Sequence, residues 1–423
     1  MWQFLKHFFN DIKTDLYHSS LLMSGNIVTQ VIAVATYPIL TRLYSADLFG
    51  KFSLFLSITG ILAIISTGRL EYALMLPDND KEVKDLTKIS VRWCFIFSFA
   101  CFVLSLILGQ FKPIAQKIPG IFWIGFYVFL SGIIQIFLIL RNRQKQYKTL
   151  AKILVLQNST SSGTKIGFGF TKLISHGLIW GNIIGQLVTA VAITKGYWRQ
   201  IFLEKTGPTQ TTLQKYAVFP KYRMVQALIN TFSSNLPIFF ITFYFSEKEA
   251  GFYALVFGLA FKAITLVSPP LYQVLYQKFT NLKQEHKPTV RLFFKIISLL
   301  FIISFVPGVF VFIFAKPLVS FFLGNGWIDV SNYLQMMIPW LLMVFIASPF
   351  AFIADVFTQQ KNALLFDIAQ LIFRLVALYI GFWLNNVYLS IILFSLSGVI
   401  SQIFLLIWYF SIITREYPEN SFQ

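Results

Sequence analysis

The sequence predicts an all-α polytopic membrane protein, with twelve transmembrane helices in two six-helix lobes related by a pseudo-twofold axis. Three observations predict it. Of 423 residues, 56% are hydrophobic and only 12% charged, with a mean hydropathy of +0.68. Soluble domains carry about a quarter charged residues, so a water-soluble fold of this size would lack the polar side chains to cover its surface. About twelve apolar runs reach the ~20 residues that a helix needs to cross the hydrocarbon. Finally, a short turn pattern recurs at the same position in each half of the chain. An ordinary soluble enzyme, a secreted disulfide scaffold and a disordered tail are excluded together.

Residues 1–19 read as an amphipathic interfacial helix; their acids and length argue against a cleaved signal peptide. The N-lobe, 20–195, holds six runs, near 20–41, 48–70, 89–110, 119–141, 150–171 and 176–195. A polar stretch at 196–217, turning at Gly207-Pro208, is the expected cytoplasmic linker. The C-lobe, 218–413, holds runs near 218–244, 250–276, 291–315, 333–358, 362–384 and 387–413, followed by a tail at 414–423. Pro38, Pro237, Pro269-Pro270, Pro307 and Pro349 fall inside these runs, where neighbouring protein or water can satisfy the freed backbone groups. Gly177, Gly181 and Gly185 form overlapping small-xxx-small motifs, expected to pack closely against another helix. The 48 Phe are expected mainly as lipid-facing bulk. No loop is long enough to hold a domain, which counts against a membrane glycosyltransferase or polymerase.

The net charge of +18 would suggest nucleic acid in a soluble chain. Here it follows topology. With the N-terminus in the cytoplasm, the loops 81–92, 141–152, 195–223 and 278–295 lie inside, carrying Lys81, Lys84, Arg141, Arg143, Lys145, Lys215, Lys221, Arg223, Lys283 and Arg291 among others. Roughly 24 basic residues then lie inside and roughly seven outside, as the positive-inside rule requires. Both termini are therefore expected inside, and no nucleic-acid partner is inferred.

The two halves repeat. Between the first two runs lies Tyr44-Ser45-Ala46-Asp47-Leu48-Phe49-Gly50-Lys51-Phe52-Ser53-Leu54. Between the seventh and eighth lies Phe245-Ser246-Glu247-Lys248-Glu249-Ala250-Gly251-Phe252-Tyr253-Ala254-Leu255. One constant offset superposes Ser45 on Ser246, Gly50 on Gly251 and Leu54 on Leu255. Six spans per half give repeats of one orientation, which places a binding site between the halves near the midplane.

A cation at the bilayer centre costs about 3 kcal/mol on insertion scales, so mid-span bases mark a cavity or a partner. Four remain within the runs: Arg69, Lys165, Lys262 and Arg374. Lys262 lies about 16 Å along its helix from Gly251, and Arg374 about 18 Å from the start of its run. Arg42 closes the first span. The acids nearby are Glu71, Asp355 and Asp367, all near the cytoplasmic side. The central excess is positive, so an anionic cargo is expected, and arginine's fork suits phosphate or carboxylate. The alternative, structural reading is that Arg69 and Glu71 snorkel at the interface and Lys262 pairs with Asp355.

Other chemistry is not encoded. Cys94 and Cys101 sit seven apart on one helix face and read as buried thiols, neither bridge nor metal pair. His7, His18, His176 and His286 have no ligand spacing, so no metal and no cofactor is expected. Pro77-Asp78-Asn79-Asp80 offers an Asp-x-Asp but reads as a solvated turn. There is no phosphate-binding lysine loop, nucleophile elbow or zinc helix; no enzyme is expected.

The stretches Ser24-Gly25-Asn26, Pro38-Ile39-Leu40-Thr41-Arg42-Leu43-Tyr44-Ser45, Phe49-Gly50 and Gly68-Arg69-Leu70-Glu71-Tyr72-Ala73-Leu74-Met75-Leu76-Pro77 resemble the N-terminal signature of Wzx-type polysaccharide-unit flippases. These belong to the multidrug/oligosaccharidyl-lipid/polysaccharide exporter (MOP) superfamily. In the second half, Asn235-Leu236-Pro237, Ala250 to Leu255, Gln273-Val274-Leu275-Tyr276-Gln277 and Pro339-Trp340 fit the same resemblance. It implies a MATE-like two-lobed bundle in the bacterial inner membrane. It also implies a cargo of undecaprenyl-diphosphate-linked oligosaccharide, moved to the periplasmic leaflet by alternating access for O-antigen or capsule synthesis. Cavity cations holding the diphosphate would fall on Arg69, Lys262 and Arg374, with Lys165 and Arg42 as further candidates. Glu71 or Asp355 would compensate those charges on return, with H+ or Na+ as a counter-ion. Membrane lipids, a glycan polymerase and its chain-length partner are the implied partners. The rivals are a multidrug or organic-cation antiporter of the same superfamily, which predicts an acid-dominated cavity, a glycan polymerase, and a passive lipid scramblase.

Overall fold

The computed structural model describes residues 13–171, 174–197, 209–285 and 289–416. The first part of the expected interfacial helix (1–12), half of the linker (198–208) and the end of the tail (417–423) lie outside the described residues. Those described are helical, with no strand among them.

In the first half the long helices are α1 (Lys13–Leu43), α2 (Ala46–Thr67), α3 (Asp80–Gly109), α4 (Ile124–Arg143), α5 (Tyr147–Gly169) and α6 (Ile174–Thr194). The second half has α7 (Met224–Tyr244), α8 (Glu247–Gln284), α9 (Val290–Ile313), α10 (Val330–Ala347), α11 (Gln360–Trp383) and α12 (Val387–Glu416). Among the described residues ten segments are long and apolar enough to cross a membrane. The first and fifth positions are filled by α1 and α5, whose hydropathy is diluted. α1 carries a shorter apolar stretch, Ile27–Leu43. α5 is interrupted by Gln157-Asn158-Ser159-Thr160-Ser161-Ser162. Its 23 residues still extend about 35 Å, longer than the ~30 Å hydrocarbon.

Boundaries differ from the sequence reading where a local signal outweighs hydropathy. Residues 13–19 continue into α1 without the break expected at 19/20, because no helix breaker intervenes. α3 begins at Asp80, not 89, since the Asn79 side chain caps it by accepting from the Lys81 N–H at 2.9 Å. The Asp-x-Asp stretch is thus a capped helix start. Run 48–70 stops at Thr67 because Gly68 and Arg69 are both left-handed, with φ of 57° and 58°. α10 ends before Pro349, which sits in a 3-10 turn, Ser348–Phe350, ahead of a four-residue helix, Ile353–Val356.

The chain packs as two compact units, Met1–Tyr44 with Leu54–Leu228, and Ser45–Ser53 with Ile229–Gln423. In the first unit α5 packs between α1 and α6. The three α6 glycines do what their spacing predicts. A Cβ on Gly181 would lie 2.6 Å from Lys165 Cγ, and one on Gly185 2.7 Å from Ser161 Cβ. Arg141, buried at the end of α4, ties down the last turn of α6: its Nε donates to the Ile193 carbonyl at 2.7 Å and its Nη2 to that of Lys195 at 2.8 Å. Those carbonyls are helix-end acceptors that otherwise lack partners.

In the second unit, Leu275, Phe279, Phe293, Phe350 and Phe352 form an aromatic core where α8 and α9 meet the turn after α10. The sequence repeat is visible here as a reciprocal contact. The first turns of α2 and α8 cross, and a Cβ on Gly50 would lie 1.9 Å from the Glu247 carbonyl oxygen. Equivalently, one on Gly251 would lie 2.0 Å from the Ala46 carbonyl oxygen. The same offset relates both partners, as a pseudo-twofold requires. Lys51 reaches Glu247 at 3.1 Å across this crossing.

Candidate functional site

Each cation expected from the sequence has a distinct setting. Arg42, in the last turn of α1, is exposed and donates from Nη1 to the Pro38 carbonyl at 2.6 Å, an acceptor within its own helix. Lys165 is half-buried on α5. The close approach of Gly181 holds its stem against α6, and its carbonyl accepts from the Tyr44 hydroxyl at 2.6 Å. Lys262 is half-buried in the middle of α8, where its carbonyl accepts from Thr265 at 3.1 Å.

Arg69 lies beyond the end of α2, in the left-handed turn. The turn is built by the Gly68 N–H bonding to the Ile65 carbonyl at 3.1 Å, which also accepts from the Trp93 indole at 3.0 Å. The Arg69 N–H bonds to Thr67 Oγ1 at 3.3 Å. A non-glycine residue in this conformation costs on the order of 1–2 kcal/mol, and such strain gathers at functional positions. Arg69 Nη1 stands 3.6 Å from Glu71 Oε1, and the guanidinium lies over the Tyr72 ring. Glu71 is buried, at 1% exposure, in the short helix Leu70–Ala73 between spanning segments. Burial pushes its carboxyl above the usual carboxylate range; nearby Thr67 and Arg69 pull the other way. Neither carboxylate oxygen has a hydrogen-bond partner of good geometry.

Arg374 is 5% exposed on α11. Its Nη1 donates to Ser233 Oγ of α7 at 2.9 Å, and its Cζ lies 5.5 Å from the Trp340 ring centroid and 5.2 Å from that of Phe394. The hydroxyl of Tyr253, whose ring meets Phe394, and Arg374 Nε are both buried without a hydrogen-bond partner. Among the described residues no carboxylate lies within ion-pair distance of this guanidinium. Asp355 is exposed in Ile353–Val356 and accepts from Gln360 Nε2 at 3.4 Å.

The structure thus brings Arg69 together with Glu71, and surrounds Arg374 with Ser233, Trp340 and Phe394. The sequence reading missed those last three. Their signal was faint: Ser233 is one hydroxyl among many, and the two rings belong to a large aromatic load. Among the described residues no cluster of His, Cys, Asp and Glu is arranged to hold a metal. Cys94 and Cys101 are free thiols on α3, the first buried and the second half-buried.

The fold is shared with solved membrane transporters. An inward closed conformation of the lipid II flippase MurJ matches with a TM-score of 0.75 at 12% identity, over 94% of this chain and 90% of that one. An inward-facing multidrug resistance MATE family transporter of the MOP superfamily matches with a TM-score of 0.72 at 14% identity, over 94% and 99%. A MOP superfamily transporter from Pyrococcus furiosus, described as having a binding pocket of reverse polarity, matches at 0.64 and 12% identity, over 94% and 95%. No curated protein matches by sequence. The architecture is therefore the multi-helix fold that these transporters share. A family profile described as polysaccharide biosynthesis protein matches residues 39–332, and the chain belongs to that family.

Proposed function

We propose that this protein is a flippase. It carries polyprenyl-diphosphate-linked oligosaccharide repeat units from the cytoplasmic to the periplasmic leaflet of the bacterial inner membrane, with both termini cytoplasmic, for O-antigen or capsule assembly. Membership of the polysaccharide biosynthesis family on a MOP transporter fold is the observation that carries this reading. The physical problem is to take a diphosphate and a hydrated glycan through hydrocarbon, where the ideal Born cost of one bare ion is on the order of 20 kcal/mol. A wet cationic path through the protein avoids most of that cost while the lipid tail stays in the bilayer. Lys262 and Lys165, half-buried at mid-helix, are the proposed direct contacts for the diphosphate, with Arg42 at one end of the path. Arg69, tied to Glu71, and Arg374, enclosed by rings, contribute charge from behind.

An inside-negative potential favours outward movement of an anion by about 2.3 kcal/mol per charge per 100 mV, so the loaded step needs no nucleotide. Return of the empty cationic path is the harder step. Glu71, Asp355 or an entering H+ or Na+ compensates it. A glycan polymerase and its chain-length partner would receive the product.

The deciding measurement is leaflet transfer of a fluorescent lipid-linked oligosaccharide in proteoliposomes under an imposed potential. Transfer that rises with inside-negative potential and is lost in Lys262→Ala supports the flippase. Charge-blind, bidirectional lipid movement identifies a scramblase, and proton-coupled export of organic cations identifies a drug antiporter.

A further inference from the structure

The C-terminal unit contains a cleft of about 470 Å³ between α8, α9, α10 and the short helix Ala315–Leu323. Its volume falls in the roughly 300–1,000 Å³ range of small-molecule sites. Along α8 its wall runs from Leu255 to Ile264, a rise of about 13 Å, close to half the ~30 Å hydrocarbon. Its wall chemistry is uniform. Ser304 supplies the one polar side chain of the lining, and its hydroxyl is turned to the Phe301 carbonyl of its own helix at 3.3 Å. A hydrated or hydrogen-bonding ligand would lose its partners on entering, at a cost nothing here offsets. The class of ligand that fits is hydrocarbon.

Pro307 and Gly308 of α9 line the cleft, and α9 and α10 pack closely there: a Cβ on Gly308 would lie 2.9 Å from Leu342 Cδ2. Of its lining, Ile303, 52% exposed, lies on α9, the most apolar of the spanning segments, and Phe322, 41% exposed, lies on Ala315–Leu323. Exposure on so apolar a helix puts the bilayer beside the cleft. What distinguishes this cleft from an ordinary lipid-facing groove is Lys262. It is half-buried, and Leu259, Ala260, Ala263 and Ile264, which flank it within one turn of α8, all line the cleft. An ammonium one helix face away from a hydrocarbon slot fits a molecule with an anionic head and an apolar chain.

We propose that this cleft holds the proximal prenyl units of an anionic prenyl lipid whose phosphate lies at Lys262. The identity of that lipid as the transported cargo rests on the flippase reading above. The cleft keeps the tail beside α8 while the head moves, so tail and glycan need not separate.

The test uses the full chain in nanodiscs of phosphatidylethanolamine and phosphatidylglycerol, with Ala260→p-benzoylphenylalanine as a photocrosslinker and polyprenyl diphosphate as probe. The expected result is an adduct with the mass of the prenyl diphosphate. It should fall at least about tenfold when Leu259→Trp or Ala263→Trp fills the cleft, or when Lys262→Gln removes the head contact; tenfold corresponds to a modest loss of binding free energy. The same crosslinker at Phe404, exposed on α12, should capture phospholipid. Phospholipid adducts alone at Ala260, or prenyl adducts undiminished by both tryptophans, overturn the proposal. If the tryptophan variants fail to fold, the Ala260 adduct and its Lys262 dependence still decide. Prenyl capture without leaflet transfer would sink the flippase reading and leave the cleft standing; transfer without capture would do the reverse.

Discussion

Arg69 and Arg374 are the same side chain in opposite surroundings. Arg69 sits outside a helix, in a left-handed turn, partly exposed, with a buried carboxylate 3.6 Å away. Arg374 sits inside α11, nearly inaccessible, with one serine hydroxyl and two aromatic faces in place of a counter-ion. Desolvating a cation costs several kcal/mol even after the protein relaxes. Ring quadrupoles return about 2 kcal/mol when the contact is desolvated, and a hydrogen bond from a charged donor adds about 1.5–3 kcal/mol. Arg374 is therefore tolerated without a carboxylate at ion-pair distance, whereas Arg69 has Glu71 beside it. A fold that keeps one guanidinium positive inside its second unit sustains a positive potential there. That is the property an anion carrier needs.

The difference predicts opposite responses to removing each charge. The largest effect is expected for Arg374→Met, which keeps bulk and apolar contact but deletes the charge. Leaflet transfer should fall to background, while stability stays level or rises by about 1–4 kcal/mol, as when buried charges are replaced by apolar side chains of similar volume. Thermal melting in detergent beside the proteoliposome assay reads both. Wild-type transfer would show that the charge is not used; a large loss of stability would show that the aromatic enclosure depends on it. Next in size is Arg69→Ala. Removing one partner of a fully buried pair costs about 3 kcal/mol because the other is left unpaired; the loss here is smaller because Arg69 is partly exposed, but the residue left behind, Glu71, is 1% exposed. Adding Glu71→Gln should recover most of that loss. A double variant no more stable than Arg69→Ala would mean the turn, and not the pair, carries the energy.

Much of this was legible in the chain. The apolar runs, the prolines and the basic loops locate most helices within a few residues, because bilayer thickness imposes a length that hydropathy reports directly. The repeat was legible too: Gly50 and Gly251 are alike because each must let the other's turn approach. What hydropathy could not report was local backbone geometry and the third dimension. Arg69 reads as the end of a span, but two consecutive left-handed residues stop the helix at Thr67. The enclosure of Arg374 joins α7, α10, α11 and α12, so Ser233, Trp340 and Phe394 are distant in sequence and carry no shared motif. The cleft near Lys262 is lined by Pro307 and Gly308, a pair visible in the sequence whose place in the fold depends on which helix packs opposite.

The smallest effect expected is also the one that most sharpens the contrast between the two arginines. Glu71 has its carboxyl held above the ordinary value of 4.5, chiefly by burial. The folded state therefore keeps that proton to higher pH than the unfolded chain does, so the stability Glu71 contributes is full below about 4.5 and declines as pH rises through its folded value. Arg69 opposes the decline by favouring the ionised form. Three curves of melting temperature against pH then separate the contributions. Wild type should lose stability with rising pH above 4.5, relative to Glu71→Gln, which lacks the titrating group. Arg69→Ala should lose more, and over a window displaced upward, because its carboxyl ionises without a partner. Arg374→Met, with no carboxylate at ion-pair distance, should run parallel to wild type. If Arg374→Met instead reshapes the curve as Arg69→Ala does, the guanidinium of Arg374 is compensated by a titrating acid after all, and the contrast between the two arginines fails.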